Sequence, residues 1–186
     1  IPSRTGGASS LGSTSLKIYG TSWRDNIEGS SKADTIYGYD GNDAIHGLGG
    51  ADQIDAGDGN DLVFVKASSL TEYTKLDGGT GSDTLNFSNP ESGGMGSPPT
   101  EAAVTFSLAS SGIAQNFENI AGSRYDDQLT GDNNGNIIVG NSGADTISGA
   151  EGDDYLYGDG SSSATYADQK AHKNGDYNLN SWGGNN

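Results

Sequence analysis

The stretch GTSWRDNIE GSSKADTIY GYDGNDAIH GLGGADQID AGDGNDLVF, from Gly20 to Phe64, is five consecutive nine-residue units without an insertion. An acid holds the sixth place of every unit (Asp25, Asp34, Asp43, Asp52, Asp61) and an aliphatic the eighth (Ile27, Ile36, Ile45, Ile54, Val63). Such a unit is too short for a helix and a turn, but long enough for a six-residue turn and a three-residue strand, whose side chains alternate between faces. The eighth place then points inward and its neighbours outward. Accordingly the seventh places (Asn26, Thr35, Ala44, Gln53, Leu62) and ninth places (Glu28, Tyr37, His46, Asp55, Phe64) form no pure apolar set. Two units make one lap of a flattened coil, and a fixed short period of this kind predicts a solenoid whose units stack on their neighbours.

The turn residues indicate what fills the edges of that coil. Gly38, Gly41, Gly47, Gly49, Gly50, Gly57 and Gly59 crowd the first four places, where glycine accepts positive φ and lets carbonyl oxygens face one another. Each lap therefore returns carbonyls and a carboxylate to the same edge. Stacked strands lie about 4.8 Å apart, and calcium takes about six to eight oxygens at roughly 2.3–2.6 Å, so an ion fits between the turns of successive laps. The expected partners on one edge are Asp25 with Asp43 and Asp43 with Asp61, and on the other Asp34 with Asp52. A column of carboxylates with nothing between them would repel at short range, which makes a metal a structural need.

GYDGNDAIH and AGDGNDLVF resemble the GGxGxDxUx nonapeptide of the RTX (repeats-in-toxin) family, a calcium-binding repeat that builds a parallel β-helix. The resemblance implies a parallel β-roll, export from a bacterium, and several Ca2+ ions held by the turn acids with backbone oxygens of early turn positions. Carried onto this chain, the acid places are Asp25, Asp34, Asp43, Asp52, Asp61, Asp83, Asp127, Asn136, Asp145 and Asp154. The accompanying turn positions are Gly38, Asp40, Gly41, Gly47, Gly50, Asp58, Gly59, Gly143 and Gly152. Because the family attaches its roll to proteases, lipases, epimerases, cytolysins, adhesins and surface-layer proteins, the repeat says much about calcium and little about biological role.

Outward from that stretch, residues 1–15 are small and polar, with no apolar core of a signal peptide, and read as a flexible lead. The first roll block spans 16–64. It opens on Leu16 to Tyr19, in register with the repeat but with Leu16 in the acid's place, which predicts an end strand that binds no ion. The first two full units are poor in turn glycine, with Trp23 and Arg24, then Lys32 and Ala33, where glycine and asparagine stand later, so their half-sites are expected to be weaker than those at Asp43 and Asp61. Over 65–112 the beat breaks into interrupting strands and loops: Asp83 follows Asp61 by 22 residues, one RTX turn recurs at 78–86, and NPESGGMGSPPT reads as a loop. Val104, Phe106 and Leu108 then alternate as in a strand.

A second block over 113–160 repeats the period in IAQNFENIA GSRYDDQLT GDNNGNIIV GNSGADTIS GAEGDDYLY. Its core places are Ile120, Leu129, Ile138, Ile147 and Leu156, and its acid places Glu118, Asp127, Asn136, Asp145 and Asp154. Asp127 is expected to pair with Asp145, and Asn136 with Asp154 in a site one charge poorer. Residues 161–186 have no repeat and read as a C-terminal cap or tail. The expected fold is thus all-β, two blocks of parallel β-roll joined by an irregular strand and loop insertion.

Composition fits this reading. Of 186 residues 31% are hydrophobic, and one aliphatic per strand makes a thin core, so ion binding is expected to supply much of the folding free energy. A formal charge of −16 opposes a nucleic-acid surface, which should be basic. With no Cys the chain has neither disulfides nor thiolate metal sites, and no apolar run reaches the length of a membrane span. Trp23, Tyr37, Tyr39, Tyr155 and Tyr157 fall on the outer face or turns, where aromatics stack on sugars or, more commonly, pack against neighbours.

No GxSxG elbow, Ser–His–Asp spacing, phosphate loop or HExxH helix is present, and His46 and His172 stand apart from one another. The chain is therefore not expected to be an enzyme. Its expected role is a calcium-binding structural or adhesive module of a secreted or cell-surface bacterial protein, folding on calcium and assembling into a layer or filament. Its partners would be calcium, further copies of itself or cell-surface polysaccharide. The alternative is the C-terminal secretion and chaperone roll of a secreted enzyme, such as a serralysin-like protease or an alginate epimerase. The family resemblance also leads one to expect a type I secretion signal at the far C-terminus of the full protein; NLNSWGGNN has no recognisable one, which reads as processing or a fragment.

Overall fold

The eighth-place aliphatics become the core. In a computed structural model, which describes residues 5–6, 14–88, 102–159 and 170–171, the side chains of Ile36, Ile45, Ile54, Val63 and Leu76 are fully buried at the middles of short strands. Their seventh- and ninth-place neighbours lie at the surface or half-buried, as in the exposed–buried–intermediate pattern of Gln53–Asp55. The described residues divide into two units, one of residues up to Leu85 with Gly112–Phe117, the other of Asn86–Ser111 with the residues from Glu118 onward.

In the first unit two parallel ladders face each other across the aliphatics. One contains Asn26–Ser30, Ala44–Leu48 and Leu62–Phe64, with Ile27 opposite Ile45 and Ile45 opposite Val63. The other runs through Lys17–Tyr19, Thr35–Tyr37, Gln53–Asp55, Lys75–Asp77 and Ala114–Gln115. Ile18, Ile36 and Ile54 keep the repeat's spacing. Leu76 then sits opposite Ile54, and Ala114 opposite Leu76, across longer connections. The segment read from sequence as an interruption therefore supplies one rung of this ladder, Lys75–Asp77, and the opening residues of the expected second block supply another, Ala114–Gln115, within the first unit. What leaves the beat is the 3-10 helix Ala67–Glu72, which occupies one edge where a nine-residue unit would have placed a turn. Tyr73 closes that detour and is buried against Gly47, while Thr74 donates its N–H to Asp52 O at 2.8 Å.

The second unit repeats the plan. Asn119–Ala121, Ile137–Asn141 and Asp154–Asp159 form one parallel ladder, with Ile120 opposite Ile138 and Ile138 opposite Leu156. Thr105–Ser107, Gln128–Thr130 and Thr146–Ser148 form the other, with Phe106 opposite Leu129 and Leu129 opposite Ile147. Of the residues expected to alternate along a strand, Phe106 lies within Thr105–Ser107 and Val104 just before it, both buried, while Leu108 falls in the turn that follows; the Phe106 ring packs on Phe87 at 5.3 Å between centroids. Lys170–Ala171 adds an antiparallel rung to Asp154–Tyr155.

Within 1–15, where a flexible lead was expected, Thr5–Gly6 pairs in parallel with Asn26–Ile27. Residues 1–4 and 7–13 of that lead, the loop at 89–100, His172 and most of the 161–186 tail lie outside the described residues. Among the described residues no helix is long and apolar enough to cross a membrane.

Most strands bury a single apolar side chain, so the loss of one is felt directly. Ile45→Ala, at a site with no exposure, is expected to lower stability by about 2–5 kcal/mol. Ile137→Ala, at a site 43% exposed, should cost about 0.5 kcal/mol or less. Denaturant unfolding of both variants with wild type, at one calcium concentration, measures the difference.

Candidate metal centre

Every acid place lies at the inner end of a turn, just before a strand turns its core residue inward. Asp25, Asp34, Asp43, Asp52, Asp61, Asp83, Asp127, Asn136, Asp145 and Asp154 are all buried. Register stacks them in columns, and a backbone hydrogen bond joins each to the next. The N–H of Asp25 donates to Asp43 Oδ1 at 2.8 Å, that of Asp43 to Asp61 Oδ1 at 2.8 Å, and that of Asp61 to Asp83 Oδ1 at 2.8 Å. On the other edge of the first unit Leu16 N–H donates to Asp34 Oδ1 at 2.7 Å and Asp34 N–H to Asp52 Oδ1 at 2.9 Å. In the second unit Val104 serves Asp127, Asp127 serves Asp145, and Asn136 serves Asp154, at 2.7–2.9 Å.

Sequence reasoning missed this amide ladder, since any residue supplies the N–H. It places the expected partners on common edges and commits one oxygen of each carboxylate. The fate of the other oxygen divides the turns into two kinds.

In the turns ending at Asp25, Asp34 and Asp127, Oδ2 accepts the N–H of the residue four positions earlier. Thr21 and Ser30 donate at 2.6 Å in the first unit, and Ser123 at 2.6 Å in the second. The hydroxyls of the same three residues donate to the carboxylates as well, at 2.8, 3.1 and 2.8 Å. Asn136 is held similarly, accepting Asp132 N–H at 2.8 Å and donating its amide to Glu118 O at 2.9 Å. A Thr, Ser or Asp four residues before the acid is the sequence signal for such side-chain capping of a turn.

In the turns ending at Asp43, Asp52, Asp61, Asp83, Asp145 and Asp154 the backbone takes another path. Their second residues, Tyr39, Leu48, Gly57, Gly79, Asn141 and Ala150, all have positive φ, as do their fourth residues, Gly41, Gly50, Gly59, Gly81, Gly143 and Gly152. In these turns the Oδ2 atoms of Asp43, Asp52 and Asp61 accept no second-place N–H and are buried without a hydrogen-bond partner. Beside Asp43 and Asp52 the first-place glycine leaves space next to Oδ2, where a Cβ on Gly38 would lie 2.7 Å from Asp43 Oδ2 and one on Gly47 2.5 Å from Asp52 Oδ2; the turn of Asp61 has Ala56 in that place.

These turns also stack directly. Gly41 N–H donates to Asp58 O at 2.8 Å, and Asp58 N–H to Tyr39 O at 2.7 Å. Asn60 N–H reaches Asn42 Oδ1 at 3.0 Å, and Ser82 N–H reaches Asn60 Oδ1 at 3.0 Å. Asp40 and Asp58 point to solvent, and Asp58 Oδ1 accepts the Thr80 hydroxyl at 2.8 Å.

Burying an ionised carboxylate oxygen without a partner is costly, and the electrostatics of these groups records it. Desolvation raises Asp43 to about 6, against an opposing hydrogen bond from Asp25 N–H and with help from the Asp61 and Asp25 charges. Desolvation likewise raises Asp52 to about 7, with the Asp34 and Glu72 charges adding to it. Asp61, Asp127 and Asp154 are pushed up by the same cause.

The donors are carboxylate and carbonyl oxygens, which suit a hard cation such as calcium. Among the described residues no three acidic, His or Cys side chains converge on one point, so a cation here would rest on one carboxylate per turn together with backbone oxygens. Orphaned oxygens, glycine-lined space and an all-oxygen donor set fit calcium.

Parallel ladders with acid-tipped turns at their edges define a parallel β-solenoid. The RTX calcium-binding nonapeptide repeat matches the chain in four copies, over residues 19–54, 40–65 and 130–162. The chain therefore carries RTX calcium-binding repeats, and its fold is an RTX β-roll. No curated protein matches it.

Two outcomes follow from this geometry. Asp43 and Asp52 bind protons more tightly folded than unfolded, where the ordinary value is 3.8. Their contribution to metal-free stability is therefore fully present below about pH 4 and lost as pH rises through about 6–7. Without metal, far-UV circular dichroism should show more strand at pH 4 than at pH 8; the reverse order would contradict these environments. Separately, Gly59 has φ +141° and a Cβ there would run into Gly41 O, whereas a Cβ on Gly49 meets nothing within 4 Å. Gly59→Ala should cost more than about 1 kcal/mol and Gly49→Ala about 0.5 kcal/mol or less, read from denaturant midpoints.

Proposed function

We propose that this chain is a calcium-binding structural module of a secreted or cell-surface bacterial protein, which orders on calcium into a stiff β-roll that presents its outer faces for assembly or adhesion. The observation that carries the reading is the buried, unpartnered Oδ2 of Asp43, Asp52 and Asp61 in glycine-lined turns. When bound, calcium supplies positive charge and room for several hard oxygen ligands. The chain's own residues do the rest. The amide ladder occupies Oδ1 of Asp43, Asp52 and Asp61 and leaves Oδ2, and the left-handed turn residues hold the backbone in the stacked path.

The ligands proposed are the carboxylates of the acid places, with backbone oxygens of the turns that contain Gly38, Asp40, Gly41, Gly47, Gly50, Asp58, Gly59, Gly143 and Gly152. Export is supported by the repeat family and by the suitability of millimolar extracellular calcium for weak sites. Because sites of this kind exist only in the folded chain, their binding free energy is folding free energy.

Sedimentation velocity and far-UV circular dichroism, with calcium and then with a chelator, test this. An expanded chain that becomes compact and strand-rich with calcium is expected. Growth of the compact form into larger particles would support assembly, a compact monomer would leave a module serving attached domains, and spectra indifferent to the chelator would overturn calcium-driven folding.

A further inference from the structure

Among the turns described above, the two kinds are not scattered. In the first unit the lap ending at Asp25 and Asp34 is capped on both edges by Thr21 and Ser30. The turns that follow, ending at Asp43, Asp52, Asp61 and Asp83, have positive φ at the second and fourth places. In the second unit the lap ending at Asp127 and Asn136 is capped on both edges by Ser123 and Asp132. There too the following turns, at Asp145 and Asp154, are of the left-handed kind.

We propose that each unit begins with a lap whose turns take no calcium, because a backbone N–H occupies the carboxylate oxygen that the ion would need, and that calcium binds only at the left-handed turns that follow. This rests on the calcium-binding reading above and divides its sites. Three features carry it. Oδ2 of Asp25, Asp34 and Asp127 already accepts a hydrogen bond of 2.6 Å, while that of Asp43, Asp52 and Asp61 is buried and unpartnered.

Second, the capped turns hold Trp23, Lys32, Tyr125 and Asn134 in the fourth place. The left-handed turns have glycine there, so each backbone path follows from its own sequence. Third, Asn136 occupies an acid place in a capped turn, buried with its oxygen and its amide nitrogen both bonded. A neutral amide suffices where there is no cation charge to balance.

The capped lap thus gives the stack a first surface whose acids are already satisfied by the protein. Leu16 N–H and Val104 N–H, each from a segment without an acid of its own, close these laps from the preceding side.

The test counts ions on the full chain by native mass spectrometry, with calorimetric titration of calcium alongside. Asp43→Asn and Asp61→Asn should hold fewer ions than wild type, and Asp25→Asn and Asp34→Asn as many. A second pair keeps the inference open to refutation if those variants fold poorly: Thr21→Gly with Trp23→Gly, and Ser123→Gly with Tyr125→Gly, recreate the left-handed sequence and should gain ions. Loss of ions in the Asp25 or Asp34 variants, or no gain in the glycine pairs, would overturn the division while leaving calcium binding intact. A wild-type chain that binds no calcium would overturn both.

Discussion

The hydrogen bond from the amide of one turn acid to Oδ1 of the acid on the next lap is the interaction on which the rest of this structure depends. It joins laps at their edges as the strand ladders join them at their faces, and it does so where like charges stack. A carboxylate in such a column is half committed and half available. Whether its second oxygen meets a protein N–H or faces an open turn is settled by residues four and two positions earlier, and the electrostatics of each lap follow from that choice.

The core imposes the complementary constraint. A strand that buries one side chain has no redundancy, so fully buried Ile36, Ile45, Ile54, Val63 and Leu76 must recur at fixed points around the coil. Apolar burial of that extent is modest for a chain of 186 residues carrying a formal charge of −16, and marginal stability is the common condition of folded domains. Under the function proposed above, a cation held at the edges would act on two terms together, relieving carboxylate repulsion and joining laps that the thin core holds weakly.

Much of this was legible in the sequence because the repeat is strict. The phase of Asp25 through Asp61 and of Ile27 through Val63 set strand centres, facing and the partners within each edge. Legibility failed where pairing outran the period: nothing in VKASSLTEYTK announces that Leu76 will lie opposite Ile54, because the ladder needs a strand there and is indifferent to the length of chain that delivers it. The amide ladder was hidden for a different reason, since a backbone donor leaves no mark in composition. The capped turns lay between these cases. Trp23 and Lys32 marked them as poor in glycine, but the meaning of Thr21 and Ser30 emerged only with their hydrogen bonds to Asp25 and Asp34.

The detour through Ala67–Glu72 has a consequence for how such a chain tolerates change. A residue inserted into Gly38–Asp43 would displace the left-handed places at Tyr39 and Gly41 and the amides that join this turn to the next lap. Between Phe64 and Lys75 the chain leaves one ladder and enters the facing one, with Tyr73 and Thr74 anchoring its return. Length there is uncoupled from phase, which makes this bend the roll's natural graft point, where foreign sequence can be carried on the rim without disturbing the lattice beneath it.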